Sequence, residues 1–167
     1  MYTDIMNYIK SVQETNPVLS IALGAIFYML FPEQSFFTAA CAVMILAVVD
    51  VGTKYYSIAA KDGGFLKALK DKQINSESMW RGTSRKLITY LVLFLMAGLS
   101  YRITPIAAVS SVISTIVYSM LFFRECQSIL ENLRDAGSDV GWLLSVVSKK
   151  QKKILEDEGV NEDEFDN

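Results

Sequence analysis

The stretch 104-TPIAAVSSVISTIVYSMLFFRECQSILENLRDAG-137 decides how the chain is read, because in it an apolar segment of membrane length passes directly into a charged amphipathic one. Thr104 is placed to cap a helix, and Pro105 fits the first turn, where a missing backbone N–H costs nothing. Residues 105–123 carry no charge, and about nineteen residues at ~1.5 Å each reach ~28 Å, close to the hydrocarbon thickness of a bilayer. Projected at ~100° per residue, this span has two unlike sides. Ile106, Val109, Ile113, Ile116, Val117 and Met120 lie on one; Ala107, Ala108, Ser110, Ser111, Ser114, Thr115 and Ser119 lie on the other. Lipid suits only the first. Small and hydroxylated side chains let helices approach closely and hydrogen-bond, so the second side is expected to meet protein or water. Ala108, Ser111, Thr115 and Ser119 are therefore the candidate oligomer or pore face, with packing inside one subunit as the alternative.

Composition removes most other chemistry. With no histidine and only Cys41 and Cys126, on different segments, the chain lacks the usual zinc constellations, a Cys-His pair and a Ser-His-Asp triad. No catalytic, cofactor-binding or metal-ligating residue is nominated, and no cofactor is expected. Apolar residues make up 51% of the chain, gathered into long uncharged runs instead of being distributed at core-facing positions, which marks an all-α integral membrane protein. A near-neutral net charge of −2 hides segregation: bases dominate the middle and residues 149–153, acids the tail. Nothing points to a nucleic-acid partner. Residues 1–17 contain Asp4, Lys10 and Glu14 with no Arg-rich start or small-residue cleavage site, and are not read as a cleaved signal.

In chain order, residues 1–15 alternate polar and apolar as a short surface helix does. Asn16 and Pro17 form a cap and first helical position for an apolar run that ends at Pro32. At ~22 Å this first span, 17–31, is short for a bilayer. A second run covers 36–51, rich in small residues, with Asp50 at its far end and Lys54 four residues on, in the favourable order for a helical ion pair at the interface. Residues 52–86 read as a polar loop broken at Gly63 and Gly64, with a small amphipathic element at 65–72. A third span covers 87–101, and the fourth, 105–123, follows at once. With four spans, 15 of the 16 basic residues fall on one side and only Arg102 opposes them, which places both termini in the cytoplasm. With three, the first run lies at the surface and the N-terminus moves to the other side. Beyond residue 123 the helix is expected to continue to Gly137, and Ser138 is placed to cap the next one. Residues 124–155 form amphipathic cytoplasmic or membrane-surface helices; Trp142, Leu143, Val146 and Val147 interleave with lysines there, which suits either an anionic inner leaflet or packing on neighbouring helices. Residues 156–167 form an acidic tail of disordered composition.

At Glu125, Ser128, Ile129, Leu130, Glu131, Asn132 and Gly137 the sequence resembles the toxin-secretion and phage-lysis holin family, which carries a Glu-Leu-Leu-Ser-Ile-Leu-Glu-Asn-like segment after its last span and a glycine soon after. Asp50, then Ser76, Gly82 and Lys86 leading into the next span, form a second patch similar to that family. Two departures stand out: Gly52 occurs where the family's glycine would fall near Lys54, and Ser138-Asp139-Val140-Gly141 replaces a proline-containing stretch. The resemblance implies a small phage or prophage membrane protein that accumulates in the bacterial inner membrane, self-associates and opens lesions through which an endolysin or toxin leaves. Glu131 and Asn132 would then either bond to a neighbouring subunit or cap local backbone. Two other classes fit the same spans: a pore-forming effector of a bacterial defence or toxin system, and a small channel or transporter.

Overall fold

The computed structural model describes residues 3–5, 7, 16–74, 76–103 and 107–157, and all regular structure among them is helical. Helix α1 is Pro17–Leu30, α2 Gln34–Lys61, α3 Phe65–Lys70, α4 Ser76–Ile103, α5 Ala107–Asp135 and α6 Gly141–Asp157. The fold is all-α, as the sequence predicts. Most of the helix expected over 1–15, the cap at Thr104 and Pro105, and nearly all of the acidic tail lie outside the described residues.

Among the described residues, three segments are long and apolar enough to cross a membrane: Gln34–Lys61, Met79–Ile103 and Ala108–Asp135, with mean hydropathies of 2.1, 1.4 and 1.2 over their most apolar stretches. Helix α1 is apolar but has 14 residues, and at ~1.5 Å each it reaches only ~21 Å. Asn16 caps it, with its side-chain oxygen accepting from Leu19 N–H at 3.2 Å. It stops before Pro32, whose ring disfavours helical geometry at the preceding residue; Phe31 accordingly leaves the helix at φ −128°, ψ 77°.

Helix α5 packs against α2, α4 and α6, and α1 against α4. The interior is a thin seam of Leu30, Ala40, Val43, Ala47, Tyr90, Phe94 and Leu121. Ala40, Val43 and Ala47 recur at helical spacing along α2, and the two alanines let the helices close up. Phe94 stacks on Tyr118 at 5.3 Å, and Phe36 meets Tyr118 edge-on at 5.8 Å. Outside this seam many apolar residues face outward: Ile45 is 64% exposed, Val48 70% and Ile88 63%. A patch of that extent suits lipid and not water.

The expected polar loop at 52–86 is mostly helix. Helix α2 runs on to Lys61 and α4 begins at Ser76, so only 62–64 and 71–74 lie outside helices among the described residues of that region. Propagating an existing helix through Tyr, Ser, Ala and Lys is favourable because each added residue gains a bond without a new nucleus. What stops it is Gly63 and Gly64, at φ +77° and +137°, conformations with little cost for glycine alone.

Gly137 ends α5 as expected, at φ +95°. Its N–H donates to Arg134 O at 2.9 Å and that of Ser138 to Leu133 O at 3.0 Å, the paired bonds of a Schellman turn. The cap of α6, however, is Val140 and not Ser138: Val140 O accepts from Leu143 and Leu144, each at 3.1 Å. Helix α6 leans on α5 yet has no fully buried residue, and Trp142 is 67% exposed.

The α1–α4 contact is closer than any side chain beyond hydrogen permits. A Cβ on Gly98 would run into the carbonyl oxygen of Met29 and stand 2.8 Å from that of Leu30. One turn on, Arg102 Nε donates to Tyr28 O at 2.9 Å while its guanidinium lies 3.2 Å from the Tyr28 ring centroid. A cation at the negative end of α1 is favoured by the helix dipole as well. Gly98→Val is therefore expected to destabilise the protein by about 1–3 kcal/mol through overpacking and to release α1 while leaving α2–α5 paired. Hydrogen exchange in detergent checks this: amides of α1 should exchange faster, and unchanged protection there would contradict the close contact.

Candidate functional site

Three polar residues that the apolar runs would ordinarily exclude stand at one level of the bundle. Asp50 sits near the end of the apolar part of α2, Lys86 just before that of α4, and Glu125 two residues past that of α5. The α4–α5 hairpin brings Lys86 opposite Glu125, and α2, packed on α5, presents Asp50 to both. Lys86 Nζ lies 2.7 Å from Asp50 Oδ2 and 2.6 Å from Glu125 Oε2. Tyr90, one turn beyond Lys86, donates its hydroxyl to Glu125 Oε1. Asn132, two turns beyond Glu125, donates from Nδ2 to Asp50 Oδ1 at 2.9 Å, with Asp50 O and Thr53 Oγ1 each at 3.3 Å.

Glu125 is fully buried, and the side chains of Asp50 and Lys86 are 13% and 21% exposed. Two carboxylates share one ammonium, so the cluster carries a formal excess of one negative charge. In a low-dielectric setting such groups persist only when each finds a partner. Here Glu125 Oε2 relies on Lys86 alone among the described residues. The cluster holds α2, α4 and α5 in one register, and a second pair, Lys61 Nζ to Asp135 Oδ2 at 2.6 Å, ties α2 to α5 further along.

The pair expected from spacing, Asp50 with Lys54, is not the one formed among the described ion pairs. Asp50 turns inward to Lys86 and Asn132, and Lys54 is exposed. An exposed helical pair contributes only ~0.3–0.5 kcal/mol, whereas Asp50 facing inward is part-buried and gains both Lys86 and Asn132, so the tertiary partners win. The motif residues divide by task. Glu125 and Asn132 reach other helices of the same chain, Glu131 accepts from Gln127 on its own helix at 3.1 Å, Ser128 is half-buried, and Gly137 makes the turn. The two sequence patches, around Asp50 to Lys86 and Glu125 to Gly137, thus meet in space.

The small-residue side of α5 is split by packing. Ser110 is buried, and Ser114 returns its hydroxyl to Ser110 O at 2.8 Å and Ser111 O at 3.1 Å. Ala108, Ser111 and Thr115 face outward, and Ser119 is half-buried. Thr115 and Ser119 line a groove of about 260 Å³ between α2 and α5, with Ser35 and Ala39 across from them. Tyr118 Oη, on the same wall, is buried with no hydrogen-bond partner among the described residues. Tyr90 and Gly98 escaped the sequence reading: each sits within an apolar run where only the partner helix reveals its part.

This architecture is that of a multi-pass helical membrane protein whose buried ionic groups join its own helices. The sequence pattern of the bacteriophage holin family matches residues 24–152, and the chain belongs to that family. Comparisons with curated proteins and with solved structures give no match.

Removing the shared cation should be the most damaging single change at the cluster. Lys86→Met is expected to cost about 3–5 kcal/mol because two buried carboxylates lose their partner. Adding Glu125→Gln, which keeps an acceptor for Tyr90, should recover part of that loss. A double-mutant cycle on unfolding in detergent measures the coupling; additive effects would show that the three groups do not act as a unit.

Proposed function

We propose that the protein acts as a holin, inserting into the cytoplasmic membrane of a bacterial cell, self-associating there and opening lesions through which an endolysin or toxin is released. The family match over residues 24–152 carries this reading. The distribution of polarity supports it: the ionic groups inside the bundle, Asp50, Lys86 and Glu125, are paired within the chain, and along the lipid-spanning part of α5 a mild face of Ala108, Ser111, Thr115 and Ser119 beside the α2–α5 groove remains for association. Hydroxyls of this kind tolerate lipid in a monomer and then hydrogen-bond or face water in an assembly. No covalent chemistry is required; insertion and concentration set the timing.

Orientation follows from charge. The ends of α2, α4 and α5 that hold Lys54 to Lys86 and lead to α6 carry nearly all the basic residues, and Arg102 stands alone at the opposite end. In this reading the basic end faces the cytoplasm. Helix α1 then crosses where the bilayer thins to its length, bringing the N-terminus to the same side.

Inducible expression beside a cytoplasmic endolysin tests the proposal, with membrane depolarisation and endolysin escape recorded together. Abrupt loss of both barriers is expected. Ion leakage with the endolysin retained would instead point to a channel. Ser111→Leu combined with Thr115→Leu should shift lysis timing or the size of cross-linked assemblies without blocking insertion. Timing and assembly identical to the unaltered chain would count against this face.

A further inference from the structure

A second polar recess is lined in part by Lys86 and Tyr90 and does not include Asp50. It has a volume of about 320 Å³, and its walls include Gly82, Arg85 and Thr89 of α4 and Arg124 and Ser128 of α5. Because α4 and α5 are consecutive helices of a hairpin with 86 and 90 both reaching 125, they run antiparallel and in register there. That register sets Arg85 near the level of Ser128, and Thr89 near that of Arg124. Each level offers a guanidinium to the same space, and Ser128 adds a hydroxyl, whereas the Thr89 hydroxyl donates to Arg85 O at 3.0 Å.

The two arginines are exposed, and neither forms an ion pair with a described residue. Glu125, next to Arg124 in the chain, is not their ion-pair partner: it is fully buried and its two oxygens are taken by Tyr90 and Lys86. Depth matters equally. Arg85 directly precedes Lys86 and the uncharged run 87–101, and Arg124 directly follows the uncharged run 105–123, so both flank the apolar spans at one end. That is the depth of lipid headgroups. Gly82 adds room, since a Cβ built there meets nothing within 4 Å.

The geometry points to a binding site for the phosphodiester of an anionic glycerophospholipid headgroup, held between the Arg85 and Arg124 guanidiniums with a hydroxyl donor from Ser128. Planar guanidinium forks match phosphate oxygens in a way that a lone ammonium does not, and a basic recess between membrane helices suits an anionic headgroup. A bound lipid would bridge α4 and α5 on the face the ionic cluster leaves open.

Native mass spectrometry of the full chain in detergent, with phosphatidylglycerol and phosphatidylcholine added in equal amounts, tests the site without depending on lysis. The protein should retain phosphatidylglycerol preferentially. Arg85→Gln with Arg124→Gln should weaken that retention about tenfold or more, as losing two charge-assisted contacts demands. Lys67→Gln with Lys70→Gln, removing the same charge from α3, should leave it unchanged, and Arg85→Lys with Arg124→Lys should keep an intermediate level. Circular dichroism of each variant confirms that the helices are intact. Retention that survives excess inorganic phosphate supports a lipid ligand; displacement by phosphate alone overturns that assignment in favour of a soluble anion. Equal retention of the two lipids, or loss matched by the α3 variant, overturns the site.

Discussion

A lysine held between two carboxylates at the edge of the apolar zone is the constraint on which the arrangement of helices depends. Lys86 touches Asp50 of α2 and Glu125 of α5 from its own place on α4. Lipid supplies no hydrophobic drive to bring helices together, since apolar side chains are as well solvated by acyl chains as by each other. Association then rests on close packing and on polar groups that have nowhere else to go. The thin seam of alanines, valine and aromatics supplies the first, and Asp50, Lys86, Tyr90, Glu125 and Asn132 the second.

This division explains why the same helices can present two very different faces. The inward ionic groups are strong and mutually paired, so they define one packing of α2, α4 and α5. The outward hydroxyls of Ser111 and Thr115 are weak and can remain in lipid at small cost. At the opposite end of the bundle, Gly98 and Arg102 hold the short helix α1 by a backbone contact and a cation on its last carbonyls. Two ends of the molecule are thus closed by different means, one ionic and one steric.

Much of this was legible in the residues. Asn16-Pro17 and Pro32 bound α1, Gly137 ends α5, and the uncharged runs mark the spans, because each of these signals acts locally on backbone geometry or on solvation. The charges of 52–86 suggest solvent-exposed coil, yet polarity by itself does not break a helix, and among the described residues the interruptions are confined to 62–64, at Gly63 and Gly64, and to 71–74, where Lys72 takes a positive φ. Ser138 was misassigned as a cap for a related reason: a good capping side chain counts only where the chain turns, and the turn delays the helix to Gly141. Asp50 was recognised as needing a partner, and spacing along one helix offered Lys54.

The sequence by itself determined the class of fold, the positions of the apolar runs, several of the helix ends and the asymmetry of charge, since those depend on composition and on neighbours a few residues away. Only the tertiary structure decided which polar groups meet. Lys86 is 36 residues from Asp50, and Asn132 is 82. Their pairing follows from the way three helices stack in register, which brings buried charges to the partners that best offset their desolvation.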